Sequence, residues 1–421
     1  MTGTLAALLL ALSAVEGLSA TAAFAQPSPG IVGEVRVHGN HTTPNADVLG
    51  MVGDVVGKPA TDQLIAEIQI TLERSGRFDG IEVRRRFRSI ENPDDILLMI
   101  IVDEVPGVDP LDLTPGPMKK LRSSGMFMPI LGSEDGYGFT YGVRTSFVDL
   151  LGPRSRVSVP LTWGGERQAR VQLERTFRIG AIERVSGEFG VGRRENPHYE
   201  IADRRVGYAA RAESAPARWL RFGAGGRMDQ VRFGDAEDTV SRVGGDVTLD
   251  TRVDPAFPRH AVHATFGLDR VVFGGGEATQ RRADLRGYLG LFGQAVLAMR
   301  GLSVTTGTPL PRYEHNLLGG AANLRGYDAG FKAGDNLVAL SAELRVPLTS
   351  PLNVGRFGIR AFVDAGAVYA VGEKMRYQTL ADRDIGGGVY LHLTVVRLAL
   401  DIARSRVGDM RYHFGMGVTF K

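Results

Sequence analysis

Cysteine is absent from the 421 residues, so no disulfide bond stabilises any part of the chain, as in exported bacterial proteins that fold without disulfides. Charge is nearly balanced, with 50 basic and 47 acidic residues, which gives no support for nucleic-acid binding. Beyond the N-terminus, no stretch approaches the roughly 20 apolar residues that a membrane-spanning helix needs. The G-x-S-x-G nucleophile motif is also missing. We therefore predict no enzyme, no cofactor and no metal site.

The N-terminus has the pattern of a secretory signal peptide. Residues 5–12 form a short apolar run, and Ala23-Phe24-Ala25 matches an A-x-A cleavage site. We predict a signal peptide over residues 1–25. An exported chain without a helical anchor is a periplasmic or secreted soluble protein, or an outer-membrane barrel.

Residues 31–105 predict a small α+β domain with the order β-α-α-β-β. Thr43 is expected to cap the first helix, with Pro44 as its first residue, and Thr61 is expected to cap the second. The second helix carries an apolar stripe that would cover the sheet. The predicted strands are residues 31–38, 80–88 and 96–105.

A short proline-rich linker over residues 106–125 precedes a long β-rich region, residues 126–421. Segments of about ten residues alternate between apolar and polar side chains and are separated by turn residues. In the last segment Tyr412 and Phe414 fall on one face, and Arg411 and His413 on the other. A soluble sandwich also alternates, but it would seldom carry charges on one face of successive strands and pure hydrocarbon on the other. We predict an antiparallel transmembrane β-barrel of about 16 strands.

The predicted barrel strands begin near Met126, Tyr137, Ser155, Arg167, Val185, Arg204, Leu220, Val240, His260, Arg281, Ala295, Leu337, Val354, Asp384, Arg397 and Met410. Whether the first of these segments is a strand is an open question at this point. Residues 126–133 could instead belong to the linker, and the strand count would then be odd. Bacterial single-chain barrels have even counts.

The loop of residues 319–328, GGAANLRGYD, is the most informative stretch of the chain. It lies between two alternating segments, and glycine-rich loops with a single arginine are common between strands. Downstream, the FVDAG segment at 362–366 lies on a strand whose polar face could meet Arg325. The order and spacing of the two segments favour a functional interpretation.

These motifs resemble those of the BamA/TamA-like surface-antigen superfamily of outer-membrane assembly and secretion barrels. The resemblance rests on HGN and SGRFDGIEV in the first domain, DTRVDPAFP at 250–258, LGGAANLRGYD, FVDAG and the aromatic last strand. It implies a single POTRA domain at 31–105, placed in the periplasm, where such domains receive extended clients by strand addition. It also implies a barrel in the bacterial outer membrane.

The resemblance further implies three groups of functional residues. The loop-latch motif consists of Leu324, Arg325, Gly326 and Tyr327. Its expected partners in the lumen are Asp364, Glu343, Phe362 and Gly366. A lateral gate between the first and last strands would involve Met126, Phe127, Ile130, Phe414, Val418 and Phe420.

By this resemblance, the protein is an assembly or insertion factor for outer-membrane proteins that acts through the lateral gate. Its partners would be unfolded outer-membrane or secreted polypeptides and the lipid bilayer, with accessory periplasmic proteins as further candidates. The alternative is a two-partner-type pore that secretes a soluble polypeptide. A passive porin would explain the barrel but not the first domain. The single POTRA domain and the final Lys421 depart from the pattern of the assembly members.

Overall fold

The computed structural model describes residues 30–40, 43–88, 92, 94–104, 125–134, 136–152, 154–177, 180–255, 257–349, 355–373, 382–393 and 396–418. The predicted signal peptide, the predicted linker except for residue 125, and Phe420 lie outside the described residues. Within the described part, no helix is both long enough and apolar enough to cross a membrane.

The N-terminal domain is a three-stranded sheet covered by two helices. Its elements are β1 (Ile31–His38), α1 (Asn45–Val52), α2 (Asp62–Arg74), β2 (Phe78–Phe87) and β3 (Asp95–Glu104). The strand order is β1-β3-β2, with β1 parallel and β2 antiparallel to β3. Val48 of α1 and Leu72 of α2 pack against Leu98 and Ile100 of β3, and all four are buried. The predicted order of elements is confirmed.

The two predicted helix caps had different outcomes. The Thr61 hydroxyl accepts a hydrogen bond from the Leu64 amide at 3.1 Å, as a capping residue should. The prediction for Thr43 was wrong, because α1 begins at Asn45 and the extended Pro44 precedes it. The Thr43 amide instead donates to the Glu104 carboxylate at 2.6 Å. Thr43 therefore joins the loop before α1 to the end of β3.

The rest of the chain is almost entirely β-structure. In chain order its strands are β4 (Gly125–Glu134), β5 (Gly138–Val148), β6 (Ser155–Gly164), β7 (Glu166–Thr176), β8 (Arg184–Asn196), β9 (Ile201–Ala217), β10 (Leu220–Phe233), β11 (Ala236–Asp250), β12 (Ala261–Phe273), β13 (Gly276–Gly290), β14 (Val296–Thr306), β15 (Asn316–Leu318), β16 (Lys332–Gly334), β17 (Asn336–Thr349), β18 (Arg356–Tyr369), β19 (Asp382–His392), β20 (Val396–Ser405) and β21 (Met410–Val418). The three-residue strands β15 and β16 pair with each other and form a separate small hairpin.

Sixteen of these strands, β4–β14 and β17–β21, form one antiparallel sheet in which chain neighbours are sheet neighbours. The sheet curls into a nearly closed barrel, because Cα atoms of its two edge strands, β4 and β21, approach within 8 Å. The predicted count of about 16 is confirmed, and each strand begins within five residues of its expected start. The linker alternative for residues 126–133 was wrong, since β4 pairs with β5 along its whole length.

The two faces of the barrel differ in polarity, because the outer face meets lipid and the inner face meets water. Large apolar side chains are exposed on the outer face, among them Leu173, Phe189, Val206, Tyr208, Phe222, Met228, Phe266, Leu268, Met299, Leu340, Ile359, Val363, Ile385, Leu400 and Tyr412. Over most of the barrel's height, charged side chains project inward from the alternate positions and several pair with one another, as do Arg170 and Glu188 at 2.9 Å. Many inward charges therefore find their partners within the lumen.

The barrel has two distinct ends. At one end, here called the domain end, Arg218 between β9 and β10 bonds Asp62 of the N-terminal domain at 2.8 Å. Arg356, the first residue of β18, donates to the Phe87 carbonyl of that domain at 2.5 Å. The opposite end, here called the loop end, carries the longest connection of the barrel, residues 307–335 between β14 and β17.

Candidate functional site

The connection of residues 307–335, here called the lumen loop, packs against the inside of the barrel wall. Leu318 and Leu324 are fully buried, and Tyr327 is nearly so. They form one apolar cluster with side chains of the strands that flank the loop. The wall residues of this cluster are Leu302, Val304, Leu337, Ala339 and Val368. Burial of these side chains holds the loop inside the bore rather than above it.

Arg325 lies at the centre of a dense set of contacts. Its Nε and Nη2 atoms donate to the two carboxylate oxygens of Asp364 at 2.7 and 2.9 Å, and its Nη1 donates to Glu343 at 2.7 Å. Its Nη2 also lies 3.2 Å from the Ser341 hydroxyl. The guanidinium carbon lies 3.3 Å from the centre of the Phe362 ring. Only a planar, forked cation can make the bidentate pair and the ring contact together.

The wall that faces Arg325 carries one buried carboxylate on each of four consecutive strands. These residues are Glu343 on β17, Asp364 on β18, Asp384 on β19 and Asp401 on β20. The wall itself supplies two arginines to them: Arg360 bonds Asp401 at 2.7 and 2.6 Å, and Arg345 bonds Glu343 at 2.7 Å. Arg325 thus brings the third cation to a four-carboxylate cluster. No group of His, Asp or Glu in the described residues has the arrangement of a metal site.

Two glycines permit the close approach of loop and wall. The Gly326 amide donates to Asp384 at 2.6 Å, and a Cβ at residue 326 would lie 2.4 Å from the Cβ of Asp384. A Cβ at Gly366 would lie 2.6 Å from a methyl carbon of Leu318. Real Cβ atoms do not come so close, so a larger residue at either position would displace the loop.

The last strand also contacts the lumen loop. His413 Nε2 donates to the Arg325 carbonyl oxygen at 2.5 Å. Two positions earlier, Arg411 makes a bidentate pair with Asp328 at 2.7 and 2.8 Å. Arg325 Nη1 also lies 3.9 Å from Asp401 on β20, so residues 324–328 contact every strand from β17 to β21.

The other half of the lumen loop is bound to the opposite wall. The two carboxylate oxygens of Glu314 accept hydrogen bonds from Arg205 on β9 at 2.9 Å and from Arg242 on β11 at 2.7 Å. The Tyr313 hydroxyl donates to Asp238 on β11. Burial and this hydrogen bond raise the pKa of Tyr313. With both halves anchored, the loop spans the bore from wall to wall.

The predicted gate residues lie on the two edge strands. Phe127 is 75% exposed on the outer face of β4, whereas Met126 and Ile130 occupy inward positions of that strand. Phe414 is exposed on the outer face of β21. The backbone of Val418 ends β21, and its side chain lies outside the described atoms. Between the described parts of β4 and β21, no ladder of paired residues is formed. We call this junction the seam.

A proline contributes to the incomplete seam. Pro129 lies in the middle of β4, and the ladder with β5 continues through its partner Val143. Proline has no N–H and occurs in sheets where the missing donor faces an unpaired edge. Pro129 has no N–H to donate to a neighbouring strand, so this edge strand offers one ladder hydrogen bond fewer.

Sequence reasoning missed several residues that share these contacts. The missed residues are Ser341, Asp384, Asp401, Arg411 and His413 near Arg325, and Arg205, Arg242 and Glu314 on the opposite side. Alternation already assigned Arg411 and His413 to the inward face, and the same parity applied to β19 and β20 would have found both aspartates. No local pattern distinguishes Glu314 from a solvated loop residue.

A family model described as the Omp85 superfamily domain matches residues 140–420, more than half of the chain. The chain belongs to the Omp85 superfamily. This membership confirms the predicted BamA/TamA-like resemblance and makes the protein an outer-membrane β-barrel of that superfamily. None of the curated proteins matches the chain.

Solved structures show the same fold at low sequence identity. The chain is similar to BamA from Haemophilus ducreyi lacking POTRA domains 1–3, with 15% identity and a TM-score of 0.62 over 93% of this chain and 85% of that one. It is also similar to CdiB from Escherichia coli, with 13% identity and a TM-score of 0.52 over 93% and 77%. It is likewise similar to CdiB from Acinetobacter baumannii, with 12% identity and a TM-score of 0.50 over 93% of this chain and 74% of that one.

Proposed function

We propose that the protein inserts outer-membrane proteins by opening the seam between β4 and β21, without enzymatic chemistry. The observation that carries this proposal is the seam itself, a sheet edge without a ladder inside an otherwise continuous barrel. Unpaired backbone N–H and C=O groups in hydrocarbon each cost several kcal/mol. A strand of an incoming polypeptide would satisfy them, so the open seam would act as a template.

We assign residues 31–105 to a periplasmic POTRA domain that receives clients. Two strands of its sheet, β1 and β2, are edge strands. The start of β1 is bonded to residues 57 and 58, so strand addition would use β2 or the rest of β1. Its contacts with Arg218 and Arg356 hold it against the domain end of the barrel. With this domain in the periplasm after removal of the signal peptide, the loop end faces outward from the cell.

In this proposal the lumen loop links the barrel interior to the gate. The Arg325 side chain fixes the loop to β17 and β18. On the gate strand, His413 donates to the Arg325 carbonyl oxygen and Arg411 bonds Asp328. Displacement of the loop would therefore release β21 from two of its contacts. Unfolded outer-membrane polypeptides and the surrounding bilayer are the partners of this mechanism.

A disulfide across the seam tests the gate. Leu131 of β4 and Phe414 of β21 occupy outward positions on the two edge strands, so we would combine Leu131→Cys with Phe414→Cys or Tyr412→Cys in the cysteine-free chain. Insertion of an unfolded barrel client into proteoliposomes should stop on oxidation and return on reduction. Full insertion by a fully oxidised variant would refute the gate.

The matched control places a disulfide between β20 and β21, two strands that are paired in a regular ladder. Leu400 of β20 lies directly opposite Phe414 in the ladder, so Leu400→Cys with Phe414→Cys shares one cysteine with the test. This disulfide should leave insertion unchanged.

The same proteoliposomes distinguish the alternative, a pore that secretes a soluble polypeptide. Such a pore would use the lumen and would first have to displace the loop that spans it. If the seam-locked variant still exports a soluble polypeptide and the open protein inserts no barrel client, the pore function replaces the insertion function.

A further inference from the structure

Four arginines lie in a row across four neighbouring strands on the outer face of the barrel, near the loop end. Directly opposite pairs in the ladders join them in sequence: 167 with 193, 193 with 204, and 204 with 232. Adjacent strands are about 4.8 Å apart, so the row extends over roughly 15 Å. Its members are Arg167 on β7, Arg193 on β8, Arg204 on β9 and Arg232 on β10.

This alignment is unfavourable within the chain itself, because like charges directly opposite each other destabilise a sheet. Arg232 is paired with Glu237 at 2.5 Å, and both side chains are largely exposed. Arg167, Arg193 and Arg204 have no ion-pair partner among the residues that the structure describes. By contrast, Arg205 and Arg227, which point inward from two of these strands, are each paired with carboxylates. The positive charge of the row is therefore not neutralised within the chain, and an anionic ligand from outside could neutralise it.

The surface on the domain-end side of the row is apolar. Phe189 and Val191 follow Arg193 along the outer face of β8, and Val206 and Tyr208 follow Arg204 on β9, all of them exposed. An open groove of about 840 Å³ lies at the β10 side of the row. Its lining includes Arg204, Arg232, Gln230, Val206 and Val272. Cations at the rim above a hydrocarbon wall match the two parts of a phosphorylated lipid.

We propose that this row and the wall beneath it bind a phosphorylated glycolipid of the outer leaflet, with its phosphates on the arginines and its acyl chains on the apolar wall. Guanidinium groups bind phosphate through paired hydrogen bonds, and basic residues at a membrane surface attract anionic headgroups. Glu195 and Glu237 also lie at this rim and Asp238 lines the groove, which leaves four cations against three carboxylates. The choice of leaflet rests on the proposed placement of the N-terminal domain in the periplasm.

Lipid binding by the full-length protein in detergent tests the site. The probe is an acylated glucosamine disaccharide that carries two phosphates, and the variant is Arg167→Gln/Arg193→Gln/Arg204→Gln. We expect its affinity for this lipid to fall at least tenfold. Arg270→Gln is the matched control, because Arg270 lies on the same outer face near the same end, outside the row, and is paired with Glu277. The control should bind within twofold of the unaltered protein.

Two further binding measurements identify the chemistry of the ligand. The dephosphorylated glycolipid should bind the unaltered protein at least tenfold more weakly than the phosphorylated form. Free pyrophosphate at the same concentration should not displace the lipid. If pyrophosphate displaces the lipid, the row is a site for small anions and not for the lipid. Equal binding of the phosphorylated lipid by the triple variant and the unaltered protein would overturn the proposal.

Thermal unfolding separates a lipid site from a structural role. Without lipid, removal of three opposed charges should leave the unfolding temperature unchanged or raise it. Added phosphorylated lipid should stabilise the unaltered protein but not the triple variant. A triple variant that unfolds at a lower temperature in lipid-free detergent would show that the row is structural and would overturn the proposal. Neither readout depends on client insertion, so the outcome is independent of the gate.

Discussion

The two walls that hold the lumen loop use charge in opposite senses. The wall of β17–β20 presents carboxylates to one arginine of the loop, whereas the wall of β9–β11 presents arginines to one glutamate of the loop. Because the two polarities are opposite, neither half of the loop can exchange places with the other without placing like charges together. The arrangement fixes the direction in which the loop crosses the bore.

The two anchors also differ in their exposure to water. The difference lies in the arginines: the side chain of Arg325 is 9% exposed, whereas those of Arg205 and Arg242 are 28% and 36% exposed around a Glu314 that is itself buried. Water screens the second anchor more than the first, and a removed partner there is more easily replaced by solvent. We therefore expect the Arg325 anchor to dominate stability and the Glu314 anchor to control loop position.

Arg325→Ala should have the largest effect. It would leave four buried carboxylates with two arginines, and loss of one partner of a buried pair costs about 3–5 kcal/mol. The free energy of unfolding, measured by urea titration in detergent, should fall by that amount, and client insertion should be lost. Arg325→Lys should recover only part of the stability, because an ammonium group cannot form the bidentate pair and stack on Phe362 as well.

The control for this prediction removes the carboxylate as well. In Arg325→Ala/Asp364→Asn the uncompensated charge is smaller, so the double variant should be more stable than Arg325→Ala alone. If the two have the same stability, the charge balance of the cluster is not what Arg325 maintains. A fully folded and fully active Arg325→Ala would contradict the assignment altogether.

The fold could be predicted from the sequence because the alternation of apolar and polar residues repeats in every strand. Alternation over sixteen segments places each strand to within a few residues, since one slip would move all outward side chains of a strand into the lumen. Thr61 was predicted correctly from local capping chemistry, which depends only on residues within one turn. Thr43 was not, because its amide bonds Glu104, a partner 61 positions away. Long-range partners of this kind leave no local signal.

The site was accessible only in part, for the same reason. Arg325, Asp364 and Glu343 carry motifs that a family resemblance can transfer. Glu314 has no such motif, and its partners lie on strands about 70 and 110 residues before it. The register that brings distant strands to the same height is a property of the closed barrel. Sequence alternation gives the face of a residue but not its height relative to a loop.

Glu314→Gln should have an intermediate effect that appears in loop position rather than in folding. The amide retains the shape of the side chain but loses the charge that Arg205 and Arg242 neutralise, at a cost of about 1–3 kcal/mol. We expect faster cleavage of the lumen loop by a protease added from the loop end, and a larger ion conductance in planar bilayers. Glu277→Gln, at an exposed pair on the outer face, is the matched control and should change neither. Unchanged protease protection in Glu314→Gln would mean that the first anchor alone holds the loop.

Arg411→Gln should have the smallest effect on stability, because the side chains of Arg411 and Asp328 are 34% and 60% exposed. Exposed pairs contribute at most about 1 kcal/mol. This pair nevertheless joins the lumen loop to the gate strand, so the rate of client insertion should change more than the free energy of unfolding does. Asp328→Asn should change the rate in the same direction, and the double variant should add little to either single one, since both break one contact. Additive rate effects would show that the two residues act separately, and the anchor on β17–β20 would then hold the loop without any connection to the seam.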